Sequence, residues 1–241
     1  MLISGKNAVK ETLLSDATAE KLSVQKGVFE REVSEIISLA RGKGAKVAFL
    51  NKEVLDKLSG GKKHQGVILE TTEFKYAELA EVLNCAKERG EEPLIVILDG
   101  VQDPMNLGAV VRSAECLGAH GVIIAKRGGA LMTEAAVRAS AGAAAHLPVV
   151  KANNINDAIR ELKERFIKIY TADLDGKPLY SADFKCGCAI VAGGEGEGVK
   201  RLTRELSDEI VTIPQSGKVS SLNASVAAGI ALYEAARQRR S

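Results

Sequence analysis

From residue 94 onward the chain alternates short, largely apolar runs with stretches whose apolar residues recur every three or four positions. The runs are Leu94–Leu98, Val122–Ala125, Leu147–Val150, Phe166–Thr171, Ala189–Ala192 and Ile210–Ile213. Continuous apolar runs of this length predict strands covered on both faces. The periodic stretches predict helices over 107–117, 133–145, 156–165 and 199–206, and a closing helix from Leu222. In that last helix Leu222, Val226, Ile230 and Tyr233 share one face, and Ser220 and Ser221 stand where an N-cap is expected. It is also dense in alanine, which lets another backbone come close. Strands alternating with helices predict a parallel-sheet α/β domain.

The first 71 residues carry a shorter version of the same alternation. Helices are predicted over 7–14, 31–41 and 52–58, and strands over 21–24, 47–50 and 67–70. A basic turn, Gly60–Gly66, includes Lys62, Lys63 and His64 and is read as a solvated turn ahead of an RNA contact. The composition shift before Pro93 divides the chain into a small α/β module (1–72), a linker helix (73–92) and a larger domain (93–241). Residues 1–66 hold 12 Lys and Arg against 8 Asp and Glu, whereas the remainder holds 21 against 23. The basic surplus in the first module suggests that it meets a polyanion. Few aromatics and no Trp imply recognition through phosphates and shape.

No apolar run is long enough for a membrane span. The charged start of the chain lacks an apolar signal core, so a cytoplasmic location is expected. Four scattered cysteines, with Cys186 and Cys188 only two apart, suit reduced thiols better than a zinc site or disulfide. No metal requirement is expected.

Three stretches carry candidate chemistry. In LDGVQDPMNLG a strand ends in a polar turn, Asn106 is placed as a helix N-cap, and Arg112 falls off the buried stripe. Ligands bind open parallel sheets at this carboxyl edge. In IVAGGEGEG, glycines permit close backbone approach, but Glu195 and Glu197 would repel a pyrophosphate. Neither phosphate-binding glycine fingerprint is matched. A cationic cofactor such as S-adenosylmethionine fits better. The third stretch, IPQSGKVSSLNAS, gathers hydroxyls and an amide at a helix start.

DPMNLGAVVRSAECLG, VAGGEGEGVKRL and IPQSGKVSSLNASVAAGIALYEAARQR closely resemble the three motifs of the SpoU/TrmH family of RNA ribose 2′-O-methyltransferases, in the SPOUT superfamily. GKNAVKETL and HQGV resemble the small, ribosomal-protein-like substrate-binding domain of its RlmB-type members. The resemblance implies a deep trefoil knot in the parallel-sheet domain, a homodimer, and S-adenosylmethionine as cofactor. By motif, Gly193, Ile213 and Leu222 match cofactor-holding positions. Asn106, Arg112, Glu195, Ser221 and Asn223 match the catalytic centre. Methyl transfer to a ribose 2′-OH is implied, with a guanosine of 23S rRNA favoured over tRNA, and no DNA partner. The rival reading is a non-catalytic RNA-binding protein that keeps the fold. The resemblance casts Arg112 as a base, but a guanidinium keeps its proton in proteins. Arg112 is therefore read as a phosphate anchor, with the proton acceptor open between Glu195 and water.

Overall fold

A computed structural model describes all residues except 16–18, 29, 62, 72–73, 196–197, 219–220 and 241. Lys62, Glu197 and Ser220 of the stretches above thus lie outside the described residues.

The first module consists of β1 (Leu2–Ser4), α1 (Lys6–Leu14), β2 (Ala19–Gln25), α2 (Arg31–Gly42), β3 (Lys46–Leu50), α3 (Lys52–Leu58) and β4 (Val67–Thr71). Its sheet runs β1-β4-β2-β3, with β2 and β3 parallel and β4 antiparallel to both β1 and β2. α1 buries Ala8, Val9 and Leu13, and α2 buries Val33, Ile36 and Ala40, each the apolar stripe its spacing predicts. β1 was not expected from the sequence. Three residues are too few to show a period, and its register is set by β4, where Leu2 faces Glu70.

The second part contains α4 (Leu79–Arg89), β5 (Leu94–Asp99), α5 (Pro104–Cys116), β6 (Gly121–Ala125), α6 (Glu134–Ala139) and β7 (Val149–Ala152). α7 (Ile155–Glu164), β8 (Lys168–Pro178), β9 (Cys188–Gly193), α8 (Arg201–Leu206), β10 (Glu209–Thr212) and α9 (Ala224–Arg239) complete it. Its six strands form one parallel sheet in the order β10-β8-β9-β5-β6-β7. Strand residues alternate between two covered faces. Leu94, Val96 and Leu98 join the cluster holding Leu107, Val110 and Val111 of α5 and Ala228, Ala231 and Leu232 of α9. Ile95 and Ile97 join the other, holding Leu79 and Val82 of α4 and Ile159 and Leu162 of α7. The helix expected over 133–145 is shorter, because Ala141 and Gly142 take positive φ and break it after Ala139.

The last helix departs from expectation in two ways. Its N-cap is Asn223, whose Oδ1 accepts from the Ser225 and Val226 amides at 2.9 and 3.4 Å, rather than a serine. Its inward face is the alanine one, Ala224, Ala228, Ala231, Ala235 and Ala236 with Leu232. The larger stripe points outward, with Val226 48% and Tyr233 61% exposed. Only small side chains fit where α9 lies on α5 and β9.

The two parts share one continuous core, in which Val9 and Leu13 of α1 meet the cluster that includes Val137, Ala143 and Leu147. Glu11 pairs with His146 at 2.5 Å across the junction. The Tyr76 hydroxyl accepts from the Met132 amide at 2.9 Å, and the Ala77 amide donates to the Val149 carbonyl at 2.9 Å.

Candidate functional site

β5 and β9 are neighbours, and their carboxyl ends are level, Asp99 facing Gly193. β10 lies two strands further out, and Asn223, the cap of α9, stands beside the first turn of α5. The Asn223 Nδ2 donates to Asn106 Oδ1 at 3.1 Å and to Glu195 Oε1 at 2.8 Å, while Asn106 Nδ2 donates to the same Glu195 oxygen at 2.9 Å. Three motifs far apart in sequence thus close a hydrogen-bonded triangle.

The triangle fixes each member. Asn223 turns its oxygen to the helix N-terminus and so must point its amide nitrogen outward. Glu195 accepts two amide N–H bonds through Oε1 alone, which orients the carboxylate and leaves Oε2 for a ligand. Asn223 and Glu195 are exposed and Asn106 is half-buried, so the group is open to an incoming molecule.

Asn106 is not the helix N-cap. Asp103 is: its Oδ1 accepts from the Met105 amide at 2.9 Å, and Pro104 occupies the first helical position. Asn106 sits in the first turn with its side chain free for the triangle. Arg112 and Ser221 are not drawn into it. Both are exposed, and among the described residues neither makes a hydrogen bond or ion pair. Arg112 lies six residues past Asn106, a third of a turn away around α5. Leu222 is exposed just before the cap, and Ile213 is half-buried where β10 ends.

The glycines have a structural duty. A Cβ on Gly193 would lie 2.3 Å from the Gly198 carbonyl carbon, and one on Gly194 would lie 2.2 Å from the Gly100 carbonyl oxygen. The loop can fold flat against the β5 turn only without side chains there.

Asp99 escaped notice in the sequence, although a carboxylate ending the apolar run LIVILD is the signal that could have found it. It is 1% exposed. Its Oδ2 accepts from the Thr203 hydroxyl at 2.7 Å and the Lys200 amide at 3.1 Å, and Lys200 Nζ stands 3.2 Å from Oδ1. Its carbonyl accepts from the Gly194 amide at 2.9 Å. One residue of β5 therefore grips both ends of the loop that carries Glu195.

A doubly covered parallel sheet, with its polar constellation where loops of three strand ends meet, defines the class as an α/β protein acting at the carboxyl edge of its sheet. Residues 93–233 match the model of the SpoU rRNA methylase family, and residues 2–77 match the model for RNA 2′-O ribose methyltransferase substrate binding. The chain belongs to the SpoU rRNA methylase family and is an RNA methyltransferase. It is 38% identical over 238 residues to YacO of Bacillus subtilis, assigned to the TrmH family of tRNA/rRNA methyltransferases; the match covers 98% of this chain and 95% of YacO. The SpoU methyltransferase AviRb of Streptomyces viridochromogenes, solved with AdoMet, is 26% identical with a TM-score of 0.86, covering 100% of this chain and 91% of AviRb. An AdoMet-bound rRNA methyltransferase of Sinorhizobium meliloti is also 26% identical, with a TM-score of 0.79 over 98% of this chain and 86% of that one.

Proposed function

We propose that this protein transfers a methyl group from S-adenosylmethionine to a ribose 2′-OH of RNA, a guanosine of 23S rRNA in our reading, and does so as a cytoplasmic homodimer. The observation that carries the chemistry is the Asn106–Glu195–Asn223 triangle, which holds a carboxylate in a fixed pose at an open strand edge. The likeness to an rRNA methyltransferase across nearly the whole chain, first module included, favours rRNA over tRNA.

The residues present fit the cofactor. The 193–195 loop offers backbone without side chains at its two glycines, and Glu195 brings negative charge suited to a sulfonium or ammonium. Gly193, Ile213 and Leu222 lie on the two segments that would hold it. When bound, the cofactor supplies an electrophilic methyl that moves to the 2′-oxygen as the carbon–sulfur bond breaks and the hydroxyl proton leaves. A ribose hydroxyl is a weak acid, so an oriented acceptor matters. Glu195, whose Oε1 alone is engaged by the two amides, is one candidate acceptor and water the other. Asn106 and Asn223 hold the carboxylate, Ser221 lines the same segment, and Arg112 anchors the target phosphate. The exposed apolar stripe of α9, next to the site, supports the dimer, and a partner copy is the natural source of cover for it. The close weave of the Gly100, Gly194 and Gly198 backbones is what a threaded trefoil knot would require.

The test is mapping of 2′-O-methyl groups on rRNA incubated with enzyme and S-adenosylmethionine, for wild type, Arg112→Lys and Arg112→Ala. A phosphate anchor predicts that lysine keeps part of the rate, since a point charge remains, while alanine loses at least about tenfold more. No new methyl group on any rRNA with wild type would overturn the reading. A lysine variant as inactive as alanine, at equal RNA affinity, would overturn the anchor role.

A further inference from the structure

We propose that a cleft in the first module, at the carboxyl ends of β2 and β3, seats a phosphate and ribose of an unpaired RNA segment. The proposal rests on the RNA reading above for its substrate class and names the surface that does the holding. The cleft has a volume of about 500 Å³ and opens between Gln25, Lys52, Lys63 and Gln65. Its two carboxylates are already satisfied: Glu30 pairs with Lys6, and Asp56 accepts from His64 Nε2 at 2.9 Å. Lys52 and Lys63 are exposed and, among the described residues, have no hydrogen-bond or ion-pair partner. Lys26 follows Gln25 at the lip, where its amide donates to the Leu50 carbonyl at 2.9 Å, and its ammonium is likewise unpaired among those residues.

The rest of the module is arranged differently. Away from the cleft, Lys10 and Lys21 are matched to Glu35 and Glu70. Among the described residues, unpaired lysines collect on the β3 and α3 side, where Lys46 and Lys57 extend the series beside the unpaired carboxylate Glu53; Arg31 and Arg41 of α2 are also unpaired. Compact ammonium groups without internal partners are what a phosphodiester chain requires. The floor is rigid: His64 is buried, with Nδ1 accepting from the Gly66 amide at 3.0 Å and Nε2 donating to Asp56. It is therefore a structural residue and not an RNA contact. Gln65 gives its Oε1 to the Lys6 amide at 2.9 Å, which leaves its NH₂ to donate to a ribose hydroxyl or phosphate. Phe49, on the edge strand leading to the cleft and 49% exposed, offers an aromatic face to a flanking base. Single-stranded RNA is favoured over a duplex because only an unpaired base can stack there.

The experiment measures binding of a fluorescent, unstructured 15-nucleotide RNA of mixed sequence to the full chain across a salt series. Lys52→Ala/Lys63→Ala should weaken binding about tenfold and lower the log–log salt slope by roughly 1.4, two single-strand phosphate contacts' worth. Phe49→Ala should weaken it at least about fivefold at unchanged slope. The control Lys10→Ala/Lys21→Ala, which removes equal charge elsewhere, should change it less than twofold. S-adenosylmethionine affinity and melting temperature should hold in all variants. Binding unchanged by the cleft variants, or equally weakened by the control, overturns the proposal. Tight cleft-dependent binding with no methyl transfer by wild type would instead overturn only the catalytic reading.

Discussion

Asn223 does two jobs with one amide: its oxygen caps α9 and its nitrogen completes the triangle. Aspartate would keep the first and reverse the second, because an N-cap carboxylate is as good as an amide. Asn223→Asp should thus melt within a degree or two of wild type but lose methyl transfer, since it sets a carboxylate against Glu195. Asn223→Ala should lose both, with a cost of about 1 kcal/mol from the cap alone. Paired melting curves and single-turnover rates check this, and an active aspartate variant would remove the triangle from the chemistry. His120 presents a different case. It is fully buried, with Nδ1 accepting from the Leu94 amide at 3.0 Å and Nε2 facing Glu91 at 3.1 Å. Burial, reinforced by Arg89, depresses its pKa below the ordinary 6.5 against the pull of Glu91. The neutral ring is favoured by folding, so its contribution is fully present above about pH 6.5 and falls as pH drops toward the lowered value. Melting temperature should decline more steeply below pH 6.5 in wild type than in His120→Gln, whose amide oxygen can still accept from Leu94.

At the scale of elements, Asp99 holds both Gly194 and Lys200, and Gly193 and Gly194 lie against the backbones of Gly198 and Gly100. A valine at Gly193 would meet the Gly198 and Val199 backbone before any cofactor. Gly193→Val should lower stability by about 1–3 kcal/mol, as overpacking does, together with cofactor affinity. Calorimetric affinity lost at unchanged melting temperature would instead place a ligand alone against that glycine. The parallel-sheet strands were legible in the sequence because burial on both faces leaves largely apolar runs, broken in β8 only by Lys168 and Thr171 before the strand runs on to Pro178. β1 was not, since three residues paired with a strand more than sixty positions away leave no local trace. Asn106 was misplaced as a cap although Asp103 followed by Pro104 is the stronger start signal. In α9, spacing revealed an apolar stripe but could not say which neighbour it faced. Alanine proved the core residue there because α5 comes so close.

For the whole molecule, the outward stripe of Val226, Ile230 and Tyr233 is the feature that a lone chain leaves unexplained. If it joins two copies, Ile230→Glu should yield a monomer in sedimentation equilibrium with little change in the subunit's own helix content, because that side chain contributes nothing to the inner face. A dimer that survives the charge would move the interface elsewhere. Docking of the first module through Glu11, His146 and the shared core argues that the two parts move together rather than as beads on a linker.

The closure of the triangle by Asn223 also sets an order in time. The first module's sheet is complete once Thr71 has been made, whereas the site waits for a residue 117 positions beyond Asn106. Domains fold in sequence as a chain emerges at about 5–20 residues per second, so roughly 10–30 seconds separate the two events on a ribosome. During that interval Glu195 has no Asn223 amide to orient it. If the triangle carries the chemistry, methyl transfer must wait until the last helix is capped.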